Sequence, residues 1–307
     1  MNLCIVGGKK TESNLRLLEE GKKLFDSVLF VPISGIRIGL EGNFSIKYRT
    51  TDLLKFDCVL PRIPHRLYSY GYQLLSLLPK RTFVPIRPIS FLIAEERFFL
   101  LSMLRKREMP TIDIYLTRSS HAAYGTLQEI NFPVIIRTPN KKTGMVVKNI
   151  SEARSVIDAM ASLKEPMLLE DVINEFVSVY VSQPDVIGCV KKVTKEKDML
   201  IYKGQLHKYE IDSDVEKLAL DVADTIESHL ARVDISLEPK PKVVNVDLNP
   251  SLVKASEALG VNLAKKAMEN IHNNYKENEV KQKPLIVEFI RDAKSVVRDL
   301  TSKKSLI

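Results

Sequence analysis

Val244, Val246 and Leu248 in "KVVNVDLNPSL" fall on one side of an extended chain, and Asn245, Asp247 and Asn249 on the other, because successive side chains of a strand alternate faces. The period of two predicts a strand. It leaves two readings of the polar row open: a solvated sheet face, or a set of oxygen ligands. At the other end of the chain, "LCIVGG" is a short apolar run ending in glycines. Leu15, Leu17, Leu18 and Leu24 then recur at near-helical spacing, with Thr11 placed to cap them. "SVLFVPI" and "FDCVLPRI" are two further strand-like runs. Strand, helix, strand and strand predict a small α/β domain over residues 1 to about 85, and no internal repeat is visible.

"ISFLIAEERFFLLSMLRKREMP" predicts one helix, with Ser90 at the N-cap, basic residues in the last turn and Pro110 as the stop. "DIYLTRS" predicts a strand, "HAAYGTLQEI" a helix, and "FPVIIRT" and "MVVKNI" two strands; Ser151 caps a helix over "EARSVIDAMASL". "PMLLEDVI", "EFVSVYVS", "DVIGCVKKV" and "DMLIYK" follow one another as four strand-like runs and predict an antiparallel sheet. A long helix, Asp214 to Ala231, precedes "VDIS" and the alternating strand. After Asn278 the composition shifts to a linker, "EVKQKP". Pro284 then opens a segment whose Leu285, Phe289, Ala293, Val296, Val297 and Leu300 form an apolar stripe. Such a helix either folds back on its own domain or meets a partner, including a second copy of the chain.

At 307 residues the chain can bury a substantial core in two or three subdomains. Cys4, Cys58 and Cys189 are far apart and form no CxxC or Cys/His pair, so they read as reduced, buried thiols of a cytoplasmic protein. No apolar run approaches the ~20 residues needed to span a bilayer, and "MNLCIVGGKK" lacks the basic region of a signal peptide. The formal net charge of +8 is dispersed among acidic residues, which favours anionic ligands in general. Without Trp or aromatic residues interleaved with basic ones, nucleic acid is a poor candidate. His65, His121, His207, His229 and His272 show no HExxH spacing, and neither GxSxG nor GxxxxGK[ST] occurs.

The order of elements resembles an ATP-grasp ligase, most nearly the RimK-like branch, which adds glutamate or similar amino acids to a carboxylate. The resemblance runs from about residue 1 to 276 and rests on several segments in the right order. "FDCVLPRIPHRLYSYGYQLL" is similar to an amino-terminal segment of that family, with Arg62, Tyr70 and Gly71 matching. Glu96 and Arg97 stand where a helix of the family begins Asp-Lys, and Arg137 stands in "PVIIRT" where the family has its second nucleotide lysine. A guanidinium can grip a phosphate bidentately but is not a compact point charge. "TPNKKTGMVV" occupies the place of a glycine-rich flap. Only Gly144 remains there, and Lys141 and Lys142 either replace backbone donors or decorate a surface hairpin.

Glu170, Asp171, Val172 and Ile173 fill the hinge on which adenine lies in the family, and Glu175 would take the ribose. Val177 replaces an arginine, Lys192 stands for another that faces the phosphates, and a further "RSN" segment has no match near "MLIYKGQ". The family's magnesium ligands map onto Asp234, Asn245 and Asp247, one amide and two carboxylates. The resemblance implies an α/β protein of ATP-grasp fold: an N-terminal α/β domain (1–85), an ATP-grasp domain (86–276) with a small central α/β subdomain (about 111–165) and a C-terminal antiparallel sheet, then a linker and amphipathic helix (277–307). It implies ATP with Mg2+, or Mn2+, as cofactors and amide formation between an amino-acid-like amine and a small-molecule or protein carboxylate. Lys192 and Arg62 would be catalytic, Arg62 through the acidic substrate. The alternative is a non-catalytic descendant that binds a nucleotide or metabolite or scaffolds a partner.

Overall fold

The computed structural model describes residues 1–40, 44–139, 144–173, 175–193, 205–237 and 239–277. Its first layer is built on β1 (Asn2–Gly7), α1 (Glu12–Gly21) and β2 (Ser27–Pro32). Thr11 caps α1 as expected, its Oγ1 accepting from the Asn14 amide. A small antiparallel sheet that the sequence reading does not contain follows: β3 (Ile36–Gly39), β4 (Ser45–Tyr48) and β5 (Thr51–Asp52). Strands of two to four residues are too short to set up a readable alternation. β6 (Cys58–Arg62) then pairs parallel with β1 on the side opposite β2. β1 is thereby central, and Leu3, Cys4, Ile5 and Val6 are fully buried, as a strand covered on both faces requires.

α2 (Tyr68–Ser76) packs against the exit of β6. A Cβ on its Gly71 would stand 2.6 Å from Ile63 Cδ1, so the helix can approach that closely only with glycine there. The helix predicted from "ISFLIAEERFFLLSMLRKREMP" is two: α3 (Pro88–Glu95) and α4 (Arg97–Lys106). Glu96 breaks it with extended backbone, φ −109° and ψ 112°. Ser90 is not the cap; it lies buried inside α3, and its hydroxyl donates to the Glu227 carbonyl.

β7 (Ile114–Thr117), α5 (Ser120–Thr126), β8 (Val134–Arg137), β9 (Met145–Val147), α6 (Ile150–Ser162) and β10 (Met167–Asp171) form the next layer, a sheet in the order β7-β10-β8-β9. Ala123, Leu127, Ile136, Ile157 and Leu169 share its core with α5 and α6. Asn149, not Ser151, caps α6, its Oδ1 accepting from the Glu152 amide, and the Glu152 carboxylate accepts in turn from the Asn149 side-chain amide and the Lys148 backbone amide. The first of the four runs expected in one antiparallel sheet, β10, belongs instead to this layer. It is buried from Met167 to Glu170 between β7 and β8, and the chain leaves strand geometry at Val172 and Ile173 before the next sheet begins.

That next sheet comprises β11 (Phe176–Ser182), β12 (Asp185–Val193) and β13 (Gln205–Lys208) and, after α7 (Ser213–Thr225), β14 (Leu230–Ser236) and β15 (Lys242–Asp247). Its order is β13-β12-β11-β14-β15, antiparallel throughout. α7 is shorter than the expected Asp214–Ala231 helix, because Glu227 adopts positive φ (52°) and the chain is extended again by Leu230. α8 (Val253–Leu259) ends on left-handed Gly260, and α9 (Leu263–Lys276) follows. Contacts group Met1–Tyr275 as one compact unit and Lys276–Ile307 as another. The "DMLIYK" strand, the Pro284–Leu300 helix, Lys141 and Lys142 lie outside the described residues. All three cysteines are free and buried, and among the described residues no helix is long and apolar enough to cross a membrane.

Candidate active site

The polar row of the alternating stretch sits on β15 beside β14, where Arg232 is the cross-strand partner of Asp247 and Asp234 that of Asn245. These four residues share one face. The alternation is not unbroken: the register shifts after Asp234, and Ile235 pairs with Val243, so Val244 is the additional residue of a β-bulge. Val243, Val246 and Leu248 are the buried ones. Ser178, the β11 partner of Asp234, extends the polar face by one strand.

Asp234 is 5% exposed and both its oxygens are engaged. Oδ1 accepts from Ser178 Oγ at 2.6 Å and lies 3.0 Å from Arg232 Nε. Oδ2 accepts from Arg232 Nη2 at 3.2 Å and Asn245 Nδ2 at 3.3 Å. Arg232 Nη2 also reaches toward Asp247, 3.6 Å from its Oδ2. Burial alone would pull the Arg232 pKa down, but Asp234 and Asp247 outweigh it and raise the pKa, so the guanidinium is firmly charged. Asp247 Oδ1 accepts from the Asn249 amide at 2.9 Å, which fixes the carboxylate where the strand ends.

Arginine takes both places where the resembling family has lysine, and the two converge on one carboxylate. Arg97 Nε lies 2.8 Å from Glu170 Oε2, and Arg137 Nη2 lies 2.5 Å from Oε1. Glu170, 2% exposed on β10, therefore neutralises one of the two charges and holds both forks in place. The helix break at Glu96 puts Arg97 in the first turn of α4, a position the helix dipole disfavours for a cation and Glu170 stabilises. Arg97 Nη1 also donates to Asn245 Oδ1 at 3.3 Å, linking the arginine pair to the acidic strands. Arg97, Arg137, Asn245, Asp247, Tyr68 and His65 line one cavity.

Lys192 belongs to the same electrostatic cluster. Burial lowers its pKa, Arg232 and Lys254 add to that, and Asp234 opposes it. Asp171 is half-buried, and burial, then Asp113, raises its pKa. Val172 and Ile173 follow it as partly buried, non-strand residues, and Glu175 is exposed and paired with Lys191 at 2.7 Å. Arg62 is 2% exposed, and its fork donates to the Pro250 carbonyl at 2.6 Å and to Asn14 Oδ1 at 3.1 Å. It clamps β6 and α1 to the segment after Asp247, while its buried Nη1 has no hydrogen-bond partner among the described residues. Arg232, Ser178 and Tyr68 are the site residues the sequence reading missed. The signal for Arg232 was present: "RVD" places it two residues from Asp234, hence on its face.

Magnesium is the ion the resemblance implies, and the donor set fits one such ion. Asp247 lines the cavity, and its Oδ2 lies 3.6 Å from Arg232 Nη2. Asp234 and Asn245 are already bound to protein partners. Among the described residues no three His, Cys, Asp or Glu side chains gather as a self-sufficient cage, so such an ion would rely on one carboxylate, waters and nucleotide phosphates.

Comparison with solved structures defines the class. The ATP-grasp ligase PsnB, solved with a phosphomimetic variant of a minimal precursor, Mg and ADP, superimposes with a TM-score of 0.71 at 14% identity, over 89% of this chain and 98% of that one. The fold is ATP-grasp. The sequence profile of the RimK-like ATP-grasp domain matches residues 94–271, and the chain belongs to that family, whose ligases work with ATP and Mg2+. It is 27% identical over 237 residues to the coenzyme gamma-F420-2:alpha-L-glutamate ligase of Methanocaldococcus jannaschii, spanning 71% of this chain and 80% of that protein. It is 28% identical over 241 residues, 72% and 78% of the two chains, to the ribosomal protein bS6–L-glutamate ligase of Escherichia fergusonii. These relatives are named as ligases and lend nothing to the scaffolding alternative.

Proposed function

We propose that this chain joins the amine of glutamate, or of a similar amino acid, to a carboxylate on a small molecule or protein, at the expense of ATP. The observation that carries this reading is the single cavity in which the Glu170-braced pair Arg97 and Arg137 faces Asp247. Such a wall of fixed cations opposite a carboxylate suits a triphosphate that arrives with a divalent ion.

A substrate carboxylate oxygen would attack the γ-phosphorus, breaking its bond to ADP and giving an acyl phosphate. The amine nitrogen would then attack the acyl carbon, expel phosphate and lose its proton, leaving an amide. Asp247 would hold a magnesium ion, whose charge would neutralise the phosphate oxygens. Arg97 and Arg137 orient the phosphates bidentately, and Lys192 adds charge from the β12 side. Asp171, Val172 and Ile173 offer the adenine edge, and the exposed Glu175 the ribose. Residues 1–85 serve as a substrate-side domain, with Arg62 holding it to the segment after the acidic strand.

The test is coupled phosphate release. Purified protein with Mg·ATP and glutamate should release phosphate only when a carboxylate acceptor is added, with panels drawn from protein C-termini and from γ-glutamyl small molecules. Release that ignores both amine and acceptor, or none with any pair under conditions where ATP binds, would contradict the assignment.

A further inference from the structure

A pair of carboxylates side by side on one sheet face needs a cation between them, and in a metal-dependent site the incoming ions supply it. In this chain the fold supplies it. Arg232 is the direct cross-strand partner of Asp247 and lies two residues before Asp234 on the same face. Its Nε and Nη2 stand 3.0 and 3.2 Å from the two oxygens of Asp234, and Nη2 stands 3.6 Å from Asp247. Ser178 and Asn245 complete the shell of Asp234, each oxygen of which then has two protein partners. A magnesium ion would need an Asp234 oxygen at ~2.0–2.1 Å, which it could reach only by displacing the guanidinium.

Asn245 leads to the same conclusion independently. Its amino group is turned to Asp234 and its oxygen to Arg97. The strand residue that would have to lie between an Asp234-bound ion and an Asp247-bound ion is thus committed to a carboxylate on one flank and an arginine on the other. Asp247, by contrast, lines the cavity with its Oδ2 3.6 Å from Arg232, beyond hydrogen-bond reach.

We infer that Arg232 is a resident cation that takes the place of one divalent ion, so that the nucleotide is bound with a single metal, on Asp247. This rests on the ligase reading only for the identity of the nucleotide. A guanidinium hydrogen-bonded to Asp234 and ion-paired with Asp234 and Asp247 cannot be removed by chelators, whereas the ion on Asp247 enters and leaves with the phosphates. The consequence for the site is a fixed positive charge beneath the triphosphate at every stage of the cycle.

The experiment counts ions. Mn2+ bound per chain is read by electron paramagnetic resonance with saturating non-hydrolysable ATP analogue, for the wild type and for Arg232→Ala and Arg232→Lys. Melting temperatures are read in parallel, without nucleotide, with and without millimolar Mn2+. The expected result is one bound Mn2+ in the wild type and in Arg232→Lys, two in Arg232→Ala, and a Mn2+-dependent rise in melting temperature for Arg232→Ala that exceeds that of the wild type. Two ions on the wild type overturn the inference, as does an Arg232→Ala protein with an unchanged count and an unchanged response to Mn2+. Should Arg232→Ala fail to fold, the wild-type count alone decides. Should the wild type not bind the analogue, the ligase reading falls, and the nucleotide-free melting comparison still decides the role of Arg232.

Discussion

Removing the Glu170 carboxylate would leave two guanidinium groups, with side chains 15% and 10% exposed, facing one another without their shared anion. Breaking a buried pair by deleting one partner typically costs about 3–5 kcal/mol. Glu170→Ala is expected to lose roughly that much stability in urea denaturation, and a loss under about 1 kcal/mol would show that the arginines are held by other contacts. Truncating Arg137 acts on the ligand instead: Arg137→Ala should weaken ATP binding about 10–100-fold, the scale of a charge-assisted contact of about 1.5–3 kcal/mol. Unchanged affinity in calorimetry would remove Arg137 from the phosphate site. Both arginines were legible in the sequence, because each stands within a segment that resembles the family's. Glu170 was legible as a hinge residue but not as their anchor. It lies 73 residues from Arg97, and which carboxylate a distant arginine meets is decided by strand pairing. The clamp that Arg62 makes was not legible for the converse reason, since nothing local to it says that Pro250 will arrive to accept its hydrogen bond.

Gly144 shows how one element sets another's geometry. A Cβ there would meet Ile135 Cγ2 at 2.8 Å, Arg137 Cβ at 2.9 Å and the Ile136 carbonyl at 3.1 Å, so the approach to β9 lies directly against β8. Gly144→Ala is expected to push the two strands apart. The cost should be about 1–3 kcal/mol of stability, with weaker ATP binding than wild type because Arg137 shifts with β8. A variant that melts and binds as wild type would show that the hairpin yields freely. At this scale most strands and the cap of α1 were readable, because period two and cap chemistry are local. The break between α3 and α4 was not, since "AEERFF" carries no Pro or Gly to announce it. Nor was the assignment of β10 to its own sheet, because an apolar run of strand length does not say which neighbours it will pair with.

For the whole molecule, His229 joins distant parts of the 1–275 unit. Its amide donates to the Pro85 carbonyl at 2.7 Å, its ring stacks edge-on to Phe83, and its Nδ1 lies 3.1 Å from Asn274 Nδ2. Burial pushes its pKa below the ordinary value, with Asp224 opposing and Arg87 reinforcing. The unfolded chain therefore takes up this proton near pH ~6.5 while the folded one does not. Stability is full above that pH and falls as pH drops through it toward the folded pKa. Melting temperature should decline from pH 7 to pH 5, and His229→Gln should flatten that decline; an equal slope in the variant would place the titration elsewhere. The fold class and order of layers were legible because they follow from the sequence of strands and helices, while the placement of the extra hairpin β3–β5 was not.

The central claim is that a triphosphate and its ion sit between the Glu170-braced arginines and Asp247. It is tested most directly by calorimetric titration of the folded protein with ATP, with and without magnesium, repeated on Asp247→Ala. The account predicts binding that requires magnesium and is lost in Asp247→Ala, with that variant still folded by circular dichroism. Failure of the folded wild type to bind ATP, or magnesium-dependent binding undiminished in Asp247→Ala, would contradict it.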